Sequence, residues 1–158
     1  MAKKTKSPYK AWRRYRNREN TCTTLRKVFD YATTNYGKRI AFQFVDGGQQ
    51  YTYSSFRTKT ERLSQRMSRF GIKHGDRVAI FSQNMPNWVV AYFAATAFGR
   101  VAVPILPDSS ENELSNILHH SESKVIFISK RLLPKLSEAC KERLTLIIDI
   151  ETFEFLKD

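Results

Sequence analysis

Cysteine is scarce in these 158 residues. Only Cys22 and Cys140 occur, far apart and without a partner at metal-ligand spacing. That excludes a disulfide scaffold and fits a reducing compartment. Six glycines and five prolines are too few for a fibrous or low-complexity chain, and 41% hydrophobic residues are too many for a disordered one. No long apolar run is present: the longest stretch, Trp88 to Ala95, falls well short of the roughly 20 residues that cross a bilayer. The N-terminus is charged from Lys3 onward, with no apolar core of a secretory signal. Acidic residues are few, 15 against 27 Lys and Arg, for a net charge of +12. Nucleotide and nucleophile signatures are missing too: there is no Gly-x-Gly-x-x-Gly, no Gly-Lys-Ser/Thr loop and no Gly-x-Ser-x-Gly elbow. A soluble, cytoplasmic protein is the expectation.

The charge is uneven. Residues 1–18 hold eight basic residues and no acid, interleaved with Tyr9, Trp12 and Tyr15. Residues 1–20 are therefore set apart as a basic arm, most simply a flexible leader or a short amphipathic helix. Such an arm also suits anionic membrane, and nucleic acid less well, since no groove-reading module follows it. Residues 21–158 form the body, long enough to bury a core.

Within the body, apolar spacing alternates between helix and strand. Leu25, Val28, Phe29, Ala32 and Tyr36 fall on one helical face that ends at Gly37. Residues 40–45 and 49–53 flank Asp46-Gly47-Gly48 and read as a hairpin. Ser54 or Ser55 is the expected cap of a second helix, whose inner face is Phe56, Leu63, Met67 and Phe70 and whose stop is Gly71. A strand over 77–82 precedes Asn84, an expected cap, and Pro86 at a first-turn position. The helix over 88–98 is apolar almost all round and should be buried on more than one side. A short strand at 101–105, closed by Pro104 and Pro107, leads to a capping box at Ser110 and Glu113. Leu114, Ile117 and Leu118 face inward from the helix that follows. Strand 124–128, helix 130–143 with Leu133, Leu136 and Cys140 inward, and strand 144–150 complete the pattern. The fold class is α/β: a layered, largely parallel sheet with flanking helices, plus an antiparallel hairpin.

Reactive side chains do not assemble into a site at sequence level. His119 and His120 are adjacent, so on a helix they point about 100° apart and cannot readily share one metal ion. His74 belongs to a Gly-Asp turn, Cys140 to an apolar stripe, and Asp76 to a turn without a second carboxylate for acid–base work. Arg57, Lys59, Arg62, Arg66 and Arg69 lie largely off the apolar face of the second helix, as a solvated surface or a seat for an acidic partner. No catalytic, cofactor-binding or metal-binding residue is assigned.

The order of segments resembles a family, however. Residues 51–56 (YTYSSF) are similar to the "(L/Y)TYxEL" motif, 70–80 (FGIKHGDRVAI) to "lGvkpGDrVai", 84–88 (NMPNW) to "N(s/c)pew" and 97–105 (AFGRVAVPI) to "kaGavyvPl". Residues 124–129 (KVIFIS) follow at the usual place. These are motifs of the adenylate-forming superfamily of acyl-CoA synthetases, luciferases and peptide-synthetase adenylation domains, and the wording is closest to long-chain fatty acid–CoA ligases. Ser55, Arg100 and residues 105–107 depart from the pattern. The resemblance implies a partial N-terminal subdomain over 21–158, ending before the phosphate loop. It implies ATP, magnesium and coenzyme A for the full-length enzyme, none of them held by residues here. It implies a fatty acid or other carboxylate as substrate, and an inert segment when alone. Sheet edges awaiting later segments would favour a homodimer or aggregation. Two alternatives stay open: a fragment of a peptide-synthetase or aryl-acid adenylation domain, and a non-catalytic basic module contacting nucleic acid or anionic membrane.

Overall fold

The structure is a computed structural model that describes residues 24–45 and 47–158. The basic arm at 1–20, Cys22 and the turn residue Asp46 lie outside the described residues. Helix α1 (Leu25–Asn35) is followed by the hairpin strands β1 (Ile40–Gln43) and β2 (Gln50–Thr52) and by α2 (Tyr53–Arg69). Then come β3 (Arg77–Phe81), α3 (Pro86–Thr96), β4 (Val101–Ile105), α4 (Glu111–Ser121) and β5 (Val125–Ile128). A 3-10 turn (Lys130–Lys135), α5 (Glu138–Arg143), β6 (Leu146–Asp149) and β7 (Phe155–Lys157) end the chain.

The main sheet has the order β4-β3-β5-β6-β7, parallel except for the antiparallel β7. Alternation along each strand sorts the side chains into two cores. Val78, Ile80, Val125, Phe127, Leu146 and Ile148 pack on the face covered by α1, α2 and α3. Ala79, Phe81, Ile126, Ile128 and Ile147 pack on the other, against Leu114 and Leu118 of α4 and Cys140 of α5. The sheet is thus covered on both faces, which is why its central strands read as uninterrupted apolar runs. Phe29, Phe42, Phe56 and Phe93 make edge and stacked contacts with ring centroids 5.0–5.8 Å apart, tying α1, the hairpin, α2 and α3 together.

Several local expectations are corrected. The α2 cap is Thr52, whose Oγ1 accepts from the Ser55 N–H at 3.2 Å, and neither Ser54 nor Ser55 serves. The N–H groups of Tyr53 and Ser54 are taken up by the carbonyls of Arg39 and Gly37, both at 3.0 Å, so the helix begins without a loop after β2. On α1, Phe29 and Thr33 are buried while Leu25 is exposed. Phe70 is 38% exposed and lies at the end of α2's inner face. Met85, not Asn84, occupies the N-cap of α3, without a side-chain hydrogen bond, and Pro86 is indeed at the first position. Pro104 lies inside β4; the strand donates to β3 from alternate residues beginning with Val101, so Pro104's missing N–H falls on the open edge. The expected helix over 130–143 is two pieces. Pro134 cannot continue an i→i−4 ladder, Leu136 is extended, and Ser137 caps α5 through the Cys140 N–H. Strand β7 has no counterpart in the sequence reading. The Ser110–Glu113 capping box is present as expected.

Candidate functional site

From β3 the chain crosses by α3 to β4 on one side and then returns by α4 to β5 on the other. The strand order therefore reverses between β3 and β5. In open α/β sheets the crevice at the carboxyl ends of such strands is where ligands bind. Here those ends carry Ser82 and Gln83 after β3, Ser129 and Lys130 after β5, and Asp149 at the end of β6.

These residues hold one another. Ser82 Oγ donates to the Gln83 carbonyl, and Arg131 donates to Gln83 Oε1 at 2.9 Å, joining the two loops. Asp149 is fully buried and takes the Glu151 N–H at 2.9 Å and the Thr152 hydroxyl at 3.0 Å, with Lys130 Nζ 3.5 Å away. Ser129 Oγ is fully buried and has no hydrogen-bond partner among the described residues. Buried Asn87, on the first turn of α3, donates to the carbonyls of Ile150 (2.7 Å) and Glu151 (2.8 Å). It accepts from the Tyr51 hydroxyl at 2.6 Å, to which Gln49 also donates. Burial raises the Tyr51 pKa, so the phenol stays a proton donor in this chain of bonds. The sequence reading missed this link. Its only sequence signal is that Asn87 stands where the resembled motif has an acid, which could not donate to two carbonyls.

The residues singled out from sequence are dispersed. His119 and His120 are exposed at the end of α4, and the described residues contain no cluster of His, Cys, Asp or Glu fit for a metal. The His74 ring covers the spot where a side chain on Gly99 would begin, and the Gly75 N–H bonds the Gly99 carbonyl at 2.8 Å. Asp76 anchors its turn: its carboxylate accepts from the Lys73 N–H at 2.7 Å and pairs with Lys124 at 2.8 Å. Burial alone would raise the Asp76 pKa, but these donors outweigh it and the pKa is lowered. Cys140 is buried and donates to Ser115 Oγ at 3.4 Å. It borders a pocket of about 180 Å³ between the ends of α4 and α5, at the amino end of the strands and away from the reversal point. Arg57 pairs with Glu61 and Asp30, whereas Arg66 lies 3.9 Å over the Phe155 ring.

Arg100 is marked in the sequence only as a departure from the motif. It is 6% exposed, and its guanidinium donates to Ser64, Ser68, Ile72 and Ala94; among the described residues no carboxylate lies within salt-bridge distance, though Asp76 acts on it from further off. Burial lowers its pKa. Among the described residues at the reversal point, no nucleophile–base pair and no pair of carboxylates arises. The polar network there holds the hairpin, α3 and the ends of β5 and β6 in place.

The family model described as AMP-binding enzyme matches residues 29–158. The chain belongs to that family. A crotonobetaine/carnitine–CoA ligase of Salmonella paratyphi A is 28% identical over 117 residues, covering 72% of this chain and 23% of the relative. A Mycobacterium tuberculosis fatty acyl CoA synthetase superposes with a TM-score of 0.66 at 26% identity, over 71% of this chain and 22% of that one. The anthranilate CoA ligase AuaEII, solved with anthranoyl-AMP, gives a TM-score of 0.72 at 17% identity, over 79% of this chain and 24% of that one. This AMP-binding family member thus spans about a quarter of the length of the proteins it matches. The family assignment and the α/β fold agree with the resemblance drawn from the motifs.

Proposed function

We propose that this chain forms the N-terminal α/β portion of an ATP-dependent carboxylate–CoA ligase, acting through acyl-adenylate and acyl-CoA, with a fatty acid as the carboxylate. The family match across residues 29–158 carries the reading. The fatty-acid preference has support from the wording of residues 77–129 and from likeness to a fatty acyl CoA synthetase. Shared fold with an anthranilate CoA ligase favours an aryl acid as the second reading.

Among the described residues, the turn at the reversal point does not suit a phosphate group. The β3–α3 turn, residues 82–85, has no glycine with which to wrap phosphate, Pro86 removes a backbone donor, and no metal-binding cluster is present among the described residues. No catalytic step is therefore assigned to them. Their proposed work is to frame the cleft: the Gln49–Tyr51–Asn87 chain fixes the hairpin against the carboxyl ends of the sheet. The arm at 1–20 is proposed to hold the protein near anionic membrane, where an apolar substrate partitions, in an otherwise cytoplasmic setting.

Sequencing the reading frame past codon 158 tests this first. A Ser/Thr/Gly-rich loop with Pro-Lys within a few tens of residues is expected, and a stop codon there would remove the ligase reading. Pyrophosphate exchange on the longer product should then respond to fatty acids. A response confined to aryl acids would select the second reading. The 158-residue chain alone should exchange at the blank rate.

A further inference from the structure

Helix α2 carries Lys59, Arg62, Arg66 and Arg69 at spacings of three, four and three. That places them along one stripe about 15 Å long. All four are exposed, and none has a carboxylate within salt-bridge distance among the described residues. Lys73 continues the row past the end of the helix. Between Tyr53 and Lys73 there are six basic residues and one acid, Glu61, which is bound to Arg57. The helix dipole accounts for cations in the last turn, where Arg66 and Arg69 stand, but its influence does not reach back to Lys59 and Arg62. Half-exposed Phe70 sits beside the stripe, with its ring centroid 5.3 Å from that of Phe155, and Arg66 covers the Phe155 ring.

We infer that this face of α2 is a docking surface for an anionic lipid bilayer, separate from the basic arm. A straight, single row of cations on a convex helix matches a plane of negative charge. An aromatic at its end can enter the boundary between headgroups and acyl chains. With the Phe155 ring already covered by Arg66, the stripe leaves a nucleic-acid strand Phe70 rather than a run of successive stacking platforms. The inference rests on charge and geometry alone and does not depend on the ligase reading.

Co-sedimentation of the full 158-residue chain with phosphatidylcholine vesicles, with and without one-quarter phosphatidylglycerol, tests it. Binding is expected only with phosphatidylglycerol, and R62Q/R69Q should weaken it about tenfold or more, since each basic residue near a charged surface contributes severalfold. The pair K38Q/R143Q makes the same change of net charge away from the stripe and should have little effect. Equal losses from both pairs would overturn the inference, because binding would then follow net charge alone. So would a chain that ignores phosphatidylglycerol, or an R62Q/R69Q loss seen on duplex DNA and not on vesicles. F70S, which leaves the charges in place, should weaken vesicle binding and spare heparin binding; the reverse would also overturn it. Unchanged melting of each variant by circular dichroism separates lost docking from lost fold.

Discussion

Replacing Arg100 is the sharpest probe of how this fold is held. Its guanidinium joins the later turns of α2 to those of α3: Nη1 to Ser64 Oγ at 2.8 Å, Nη2 to Ser68 Oγ at 2.6 Å and to the Ile72 carbonyl at 3.0 Å, with three longer contacts beyond 3.2 Å. Hydrogen bonds from a charged donor contribute roughly 1.5–3 kcal/mol each, so the three short ones gross about 6 kcal/mol. Against this stands the cost of taking a cation out of water, several kcal/mol after relaxation. Arg100→Ala ends both terms, but it strands the buried oxygens and leaves a void where the side chain packed. The net loss should be about 3 kcal/mol, a melting shift of roughly 6–12 °C for a chain of this size. Arg100→Lys keeps the charge but cannot span all the acceptors from one fork and should lose about 2 kcal/mol. Thermal and urea unfolding followed by circular dichroism read these values. Arg100→Met is the decisive variant, since it keeps volume and removes charge. If it melts at or above the parent temperature, desolvation outweighs the hydrogen bonds and the clamp described here is refuted.

Other expectations follow from single contacts. Because the Asp76 pKa is lowered in the fold, its contribution to stability is present above the ordinary value of 3.8 and fades as pH falls below it; Asp76→Asn should flatten that part of the pH–stability curve, and an unchanged curve would remove Asp76 from the account. Gly99→Ala must place a side chain at φ +79° where the His74 ring already stands, and should cost about 2 kcal/mol or more in urea unfolding. Lys157 Nζ donates to the carbonyls of Lys141, Glu142 and Leu144 at 2.6, 3.1 and 2.7 Å, closing the end of α5; Lys157→Met should lose about 1–2 kcal/mol and speed amide exchange in 138–144 most. With Val101 and Leu106 exposed at and just beyond the β4 edge, the isolated chain should associate, and a monomer throughout a concentration series in sedimentation velocity would contradict this.

The doubly covered sheet was legible because its signals are local and redundant. Each of β3, β5 and β6 is a short apolar run, and each intervening segment carries a helical period or a capping box such as Ser110–Glu113. What was not legible depends on atoms distant in sequence. The start of α2 is decided by the carbonyls of Gly37 and Arg39, which capping rules for Ser54 or Ser55 do not contain. The break at Pro134 was readable in principle, and the apolar spacing of Leu133, Leu136 and Cys140 concealed it. At the reversal point, Tyr51 and Asn87 meet across 36 positions, and no spacing rule reaches that far. Arg100 stood out in sequence only as a departure from the motif, because guanidinium groups are rarely buried; here carbonyls and hydroxyls from α2, α3 and Ile72 hold it.

Thr52 ends β2 and caps α2 with the same residue. A two-stranded hairpin has little of its own to resist slipping by one residue. Here a slip would turn Tyr51 out of the core and withdraw the Arg39 and Gly37 carbonyls from the Tyr53 and Ser54 N–H groups together. The 17 residues of α2 thus act as a pawl on a ratchet of seven, and the hairpin can take only the tooth the helix allows.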